Sequence, residues 1–176
     1  MHLRDTRDDD LPPLLQLHRA AFGGPTEADL VRAILTDPSA QPVLSLLASG
    51  DGRLLGHVLF SRVRCGDPAA KAAILAPLAV HPAAQGKGIG SRLVDAGLQQ
   101  LAEEGVALAF VLGDPAYYRR FGFTPAAPLG LAAPYALPDA YAEAWRVKEL
   151  QDGAAARLRG TVTCCDALMQ PALWSA

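Results

Sequence analysis

The apolar positions near the start of the chain recur at the spacing of a helix. Between residues 11 and 22 they fall three or four positions apart, and Gly23-Gly24-Pro25 interrupts the pattern. A second helix is predicted from Thr26, which forms a start resembling a capping box with Asp29, to the break at Asp37-Pro38. The inward-facing positions are Leu11, Leu14, Leu15, His18 and Phe22 in the first helix, and Leu30, Val31, Ile34 and Leu35 in the second.

Runs of residues that favour strands follow the two helices. Residues 43–48 and 54–64 lie on either side of a Gly-Asp-Gly-Arg turn, which predicts an antiparallel hairpin. Residues 74–80 are apolar without alternation, as in a strand that is covered on both faces. Residues 106–112 give a fifth strand, and because a helix connects it to residues 74–80, we expect these two strands to be parallel.

The two ends of the chain carry weaker patterns. Residues 2–4 predict a short first strand, residues 143–150 alternate like a late antiparallel strand, and residues 157–163 give a further edge strand. Residues 124–140 are rich in Pro, Ala and Gly, and we interpret them as a packed loop over a cleft, with Leu131 and Tyr135 bordering a binding pocket. The sequence contains no repeat and no linker, so we expect one domain over residues 1–176.

Three glycines alternate where the strand at residues 74–80 gives way to a long helix. Gly86, Gly88 and Gly90 precede a helical pattern, and the unpaired N–H groups of a helix start attract phosphate. Lys87, Ser91 and Arg92 add two positive charges and a hydroxyl there. The spacing fits neither a P-loop nor a dinucleotide-binding fingerprint. By themselves, the glycines fit a phosphate site and a turn without a ligand about equally well.

A second motif decides between these two interpretations. Residues 117–123 read Tyr-Tyr-Arg-Arg-Phe-Gly-Phe, with a tyrosine four residues before Gly-Phe. This motif, the loop at residues 85–90 and the strand end at residues 78–82 together resemble the GNAT superfamily of acyl-CoA-dependent N-acyltransferases. The resemblance covers roughly residues 5–150. Within the superfamily, the chain resembles a bacterial subgroup of single-domain acetyltransferases. It implies an α/β (α+β) GNAT fold: a mixed, mostly antiparallel sheet of six to seven strands that is splayed between strands four and five and flanked by about four helices.

The resemblance also implies a function and a set of site residues. The expected activity is transfer of an acetyl group from acetyl-CoA to an amine by direct attack in a ternary complex, with Tyr118 and the N–H of Leu78 as catalytic groups. Pro77 is expected at the splay, because proline removes a hydrogen bond from a sheet ladder. The cofactor is expected to be bound by Leu78, Ala79, Val80, Gln85, Gly86, Lys87, Gly88, Ile89, Gly90, Ser91, Arg92 and Tyr118.

The sequence leaves the general base open. His57 lies on a strand face that could border the cleft, and Asp114 and His81 are weaker candidates; water is the remaining alternative. Gly113-Asp114-Pro115 stands where members of the family often carry an asparagine after strand five. A second function is a non-catalytic acyl-CoA-binding sensor, which would keep the glycine loop but would not need Tyr118.

Composition and charge limit the binding partners and the cellular compartment that we expect for this protein. The chain has 51% hydrophobic residues and a formal net charge of −2, which argues against a nucleic-acid-binding protein. Its three cysteines form no disulfide framework and no Cys/His metal cluster, which indicates reduced thiols in the cytoplasm. No signal peptide or membrane-spanning run is visible. The expected partners are acetyl-CoA and an amine that the sequence does not identify, with a homodimer as one allowed assembly.

Overall fold

The structure is a computed structural model that describes residues 1–175. Within them, seven strands form one mixed sheet: β1 (His2–Asp5), β2 (Leu44–Gly50), β3 (Arg53–Val63), β4 (Ala72–Val80), β5 (Leu108–Leu112), β6 (Thr124–Pro125) and β8 (Trp145–Glu149). Their order in the sheet is β1-β2-β3-β4-β5-β8-β6, and all neighbours are antiparallel except β4 and β5. This arrangement confirms the predicted sheet and its single parallel pair. A separate parallel pair consists of β7 (Leu131–Ala132) and β9 (Gly160–Thr161).

Three long helices cover the sheet, and their bounds follow the sequence signals. Helix α1 spans Leu11–Phe22 and ends at left-handed Gly23, α2 spans Thr26–Leu35, and α3 spans Ile89–Glu103. Two helices of one turn follow, α4 (Pro115–Tyr118) and α5 (Ala154–Arg157). None of the described helices is both long enough and apolar enough to cross a membrane.

The two faces of the sheet carry separate cores. Helices α1 and α2 pack on one face, where the largest buried side chains of the sheet are Phe110 and Trp145. Helices α3 and α4 pack on the other, around Phe60 and Leu93. Helix α3 approaches β3 so closely that a Cβ on Gly97 would overlap the Phe60 ring, which explains the glycine inside this helix.

The sheet splits open halfway along β4. Strands β4 and β5 pair from Ala72 only as far as Leu75, which lies opposite Val111. Pro77 follows two residues later, and on the other side of β4 the register with β3 shifts between the pairs formed by Leu75 and Leu78. The prediction that Pro77 lies at the splay is therefore confirmed. Beyond this point, the edge of β4 that faces β5 is open.

The segment after α4 is more ordered than the sequence predicts. We expected a packed loop over residues 124–140, but β6 extends the main sheet and β7 pairs with β9. The predicted edge strand at residues 157–163 is therefore reduced to β9 and lies outside the main sheet. Leu131 is fully buried, and Trp145 Nε1 donates to its carbonyl at 2.9 Å. Leu131 is thus a core residue and does not border an open pocket.

Candidate active site

The open edge of β4 presents two unpaired backbone N–H groups. In an antiparallel ladder, the N–H groups of successive residues point to opposite edges of the strand. The N–H of His81, just beyond β4, donates to Leu55 O of β3 at 2.8 Å, so the N–H groups of Leu78 and Val80 point away from β3. Because pairing with β5 has already ended at Leu75, both groups face the cleft.

The start of α3 supplies further unpaired donors beside this edge. Gly88 caps the helix in the left-handed conformation, with φ of 80°, and its carbonyl accepts from the N–H of Arg92 at 3.1 Å. The N–H groups of residues 89–91 precede this first helical bond and have no acceptor within the helix. Their partial positive charge adds to the positive end of the helix dipole. This geometry suits an anion such as a diphosphate.

The β4 edge and the start of α3 form one cleft of about 420 Å³. It brings together most of the predicted cofactor residues, namely Leu78, Val80, Gln85, Gly86 and residues 88–91. Gln85 Nε2 also donates to Val80 O at 3.2 Å, which ties the loop to the end of the strand.

Four predicted cofactor residues do not line this cleft, namely Ala79, Lys87, Arg92 and Tyr118, of which Tyr118 is described below. Ala79 is buried, and its N–H points towards β3 together with that of His81. Lys87 lies in a neighbouring groove beside Arg53 and His81. Arg92 is exposed one turn into α3.

Tyr117 and Arg120 line the cleft, although the sequence did not lead us to assign them. The Tyr117 hydroxyl lies against the start of α3, 2.7 Å from the position that a Cβ on Gly90 would occupy. The guanidinium of Arg120 lies 4.5 Å from the centre of the Tyr117 ring, in cation–π contact. Their three-residue spacing on one helical turn is the signal that could have identified the pair.

The Tyr118 ring points into the core next to the cleft. It is 9% exposed and packs against Phe121 and Phe123. A Cβ on Gly113 would lie 2.5 Å from this ring, so the residue after β5 must be small, which explains why Gly113 stands in place of a larger residue.

The Tyr118 hydroxyl is protonated and free to donate. Burial raises the pKa of the phenol well above its ordinary value, and negative charge on Tyr117 and Asp114 acts in the same direction. Within residues 1–175 the hydroxyl makes no hydrogen bond, but its oxygen atom is not fully buried. Its tip therefore reaches solvent although the ring is buried.

None of the three candidate bases lines the cleft. His57 is fully buried, and its two ring nitrogens contact His18 and Ser45, so the expectation that it borders the cleft is wrong. The Asp114 carboxylate accepts from the N–H of Ala116 at 2.9 Å and caps α4. His81 Nδ1 accepts from the N–H of Ala83 at 3.1 Å.

Comparison with known proteins identifies the family. An acetyltransferase (GNAT) domain model matches residues 2–126. The chain belongs to the GNAT acetyltransferase family. Among its relatives, the uncharacterized N-acetyltransferase YjhQ of Escherichia coli K12 is 40% identical over 166 residues, which cover 92% of this chain and 90% of YjhQ. The uncharacterized N-acetyltransferase YhbS of the same strain is 40% identical over 119 residues, 67% of this chain and 70% of YhbS.

Solved structures of GNAT proteins share the fold. The crystal structure of Escherichia coli YhbS in complex with CoA has a TM-score of 0.87 and 33% identity. The match covers 96% of this chain and 92% of the YhbS chain. The structure of a Brucella melitensis GNAT acetyltransferase in complex with acetyl-CoA has a TM-score of 0.75 and 32% identity. The match covers 94% of this chain and 96% of the Brucella melitensis chain. The expected GNAT fold and acetyltransferase family are confirmed.

Proposed function

We propose that this GNAT acetyltransferase moves an acetyl group from acetyl-CoA to an amine by direct attack within a ternary complex. The observation that carries the proposal is the junction of the open β4 edge with the start of α3 in one cleft. An extended pantetheine chain can pair with the strand edge while the diphosphate lies at the helix start. Two solved GNAT relatives, from Escherichia coli and Brucella melitensis, bind CoA and acetyl-CoA respectively.

Backbone N–H groups of β4 hold the acyl donor in this proposal. The N–H of Leu78 donates to the thioester carbonyl, and the N–H of Val80 pairs with a pantetheine amide. A preformed donor to a developing oxyanion contributes about 3–4 kcal/mol to catalysis. Arg120 and the N–H groups of residues 89–91 hold the diphosphate, while Lys87 and Arg92 contribute long-range positive charge from outside the cleft.

Tyr118 is the proposed general acid. When the amine attacks the thioester, the carbon–sulfur bond breaks and negative charge develops on the thiolate. A phenol that stays protonated and has no other acceptor can donate its proton to that sulfur. The raised pKa of Tyr118 and its unpartnered hydroxyl meet both conditions. A sensor that only bound CoA would not need such a donor, which favours the enzyme.

The function is tested by following thiol release from acetyl-CoA in the presence of a panel of amines. The panel contains a polyamine, an amino acid, an aminoglycoside and a peptide with a free N-terminus and a lysine. We expect thiol release that depends on one class of amine, with the acetylated product visible by mass spectrometry. Binding of acetyl-CoA without turnover for any amine would support the sensor instead.

The glycine loop gives a direct prediction for cofactor affinity. Replacing Gly90 by valine is expected to weaken CoA binding by at least about 10-fold, because the new side chain would occupy the space between the α3 start and the Tyr117 hydroxyl. Calorimetric titration with CoA measures the effect. Gly24→Val is the control, because a Cβ there meets no atom within 4 Å. Equal affinity in both folded variants would show that the diphosphate does not lie at this helix start.

A further inference from the structure

Tyr117 and Arg120 form one unit on the wall of the cleft. Arg120 Nε donates to the carbonyl of Tyr117 at 3.0 Å, and the guanidinium carbon lies 4.5 Å from the centre of the Tyr117 ring. A hydrogen bond and the face of an aromatic ring therefore fix an arginine that is otherwise exposed. Neither of the ion pairs within residues 1–175 includes Arg120, so no carboxylate of the described chain pairs with its charge.

The Tyr117 ring is itself held in place by its neighbours. It makes edge contacts with the rings of Tyr118 and Phe121, with 5.0 Å and 5.4 Å between ring centres. Its hydroxyl reaches the start of α3, where it lies 2.7 Å from the position that a Cβ on Gly90 would occupy. The ring therefore bridges the helix start and the guanidinium of Arg120, and it sets the distance between them.

Two groups that attract anions thus lie on either side of one tyrosine ring. The N–H groups of residues 89–91 have no acceptor within the helix. Arg120 keeps further N–H groups besides the Nε–H that it donates to Tyr117. A separation of about one ring suits two phosphates that share a bridging oxygen, because each phosphate can then meet one of the two groups. A single phosphate at the helix start would leave the guanidinium without an anion.

The number of phosphates distinguishes the two chemical forms in which a pantetheine thioester is available. CoA joins pantetheine to adenosine through a diphosphate, whereas a carrier protein joins pantetheine to a serine through a single phosphodiester. Only the diphosphate offers two linked anions to the helix start and to Arg120. The position of the guanidinium therefore bears on which acyl donors the cleft accepts.

We propose that Tyr117 is a positioning residue, which holds the Arg120 guanidinium beside the start of α3 so that the cleft selects acyl donors that carry a diphosphate. This inference rests on the proposed acetyl transfer from acetyl-CoA. A guanidinium that is held before the ligand arrives loses less conformational freedom on binding than a mobile one. The Tyr117 ring thus favours the diphosphate through Arg120, apart from any contact of its own hydroxyl.

Variants at positions 117 and 120 separate the effect of the ring from that of the charge. Tyr117→Phe and Tyr117→Leu both remove the hydroxyl, and they differ in whether a ring remains beside Arg120. Arg120→Gln removes the positive charge, and each variant at position 117 is also combined with it. Arg119→Gln is the matched control, because Arg119 is the adjacent exposed arginine and does not line the cleft.

Calorimetric titration with CoA, dephospho-CoA and 4′-phosphopantetheine measures the selectivity. We expect Arg120→Gln to weaken the binding of CoA and dephospho-CoA by about 10-fold, the effect of losing one hydrogen bond between charged groups. The affinity for 4′-phosphopantetheine should fall much less, because its single phosphate lies at the start of α3. Arg119→Gln should have little effect on any of the three ligands, because salt screens an exposed charge outside the cleft.

The positioning role is tested by the difference between Tyr117→Leu and Tyr117→Phe. With Arg120 present, Tyr117→Leu should bind CoA about 3-fold more weakly than Tyr117→Phe, as expected for the loss of an exposed cation–π contact. In combination with Arg120→Gln, the two variants should bind CoA equally, because no cation remains to be positioned. This comparison is a double-mutant cycle, which isolates the coupling between the ring and the guanidinium.

Two results would overturn the proposal. A deficit of Tyr117→Leu that persists in combination with Arg120→Gln would show that the ring acts through packing alone. An equal loss of affinity for dephospho-CoA and 4′-phosphopantetheine in Arg120→Gln would show that the guanidinium does not select a diphosphate. Failure of the proposed function has a different signature, because the titrations contain no amine: the wild type would then bind CoA with this selectivity but acetylate no member of the panel.

Discussion

Replacing Tyr118 by phenylalanine is expected to lower kcat for acetyl transfer by at least about 100-fold, because general acid catalysis contributes about 10²–10⁴-fold to rate. The substitution keeps the ring against Phe121, Phe123 and Gly113 and removes only the hydroxyl. Acetyl-CoA affinity and thermal stability should therefore change little. Steady-state thiol release and calorimetric titration of the same preparation separate these effects.

Tyr117→Phe is the internal control for this prediction. Its hydroxyl lies at the start of α3 and its ring contacts Arg120, so we expect weaker CoA binding and a small change in kcat. If Tyr117→Phe loses kcat and Tyr118→Phe does not, the acid is Tyr117. If neither variant loses rate while chemistry limits turnover, the thiolate takes its proton from water.

The free energy of unfolding should fall steeply as the pH drops below about 6.5, the ordinary pKa of histidine. The pKa values of His18 and His57 are lowered to about 4 and about 3 in the folded protein. The unfolded chain therefore binds protons that the folded chain excludes, and the stability is fully present above pH 6.5. It is lost as the pH falls towards the folded values, by about 1.4 kcal/mol per pH unit for each histidine.

Urea unfolding at several pH values between about 7 and 5 measures this slope, in a range where carboxylates titrate little. His18→Gln removes one of the two groups and should roughly halve the slope. A free energy of unfolding that does not vary over this range in the wild type would show that folding does not lower the pKa values of the two histidines.

Most of the fold could be predicted because its signals are local. The helix bounds follow from chain breakers such as Gly23 and from the three-to-four-residue apolar spacing. The parallel β4–β5 pair follows from the helical crossover. The strands β6, β7 and β9 have two residues each, and their pairing depends on contacts between distant segments. No local pattern of that length distinguishes such strands from a loop.

In the candidate site, too, the features set by local sequence could be predicted and those set by tertiary packing could not. The glycine loop and the break at Pro77 depend on backbone geometry that glycine and proline reveal. The surroundings of side chains depend on packing. The alternation along β3 places His57 on one face, but only the position of α1 shows that His18 covers it and that both rings are buried. The position of Tyr117 against Gly90 likewise requires the contact between α4 and α3.

The most direct measurement is amide hydrogen exchange at single residues, with and without acetyl-CoA. We predict that the amides of Leu78 and Val80, and those of residues 89–91, exchange fast in the free protein and become protected by acetyl-CoA. The amides of Ala79 and His81 already pair with β3 and should change little. Protection at Ala79 and His81 without protection at Leu78 and Val80, or no protection at the start of α3, would contradict acetyl-CoA binding at the open edge of β4.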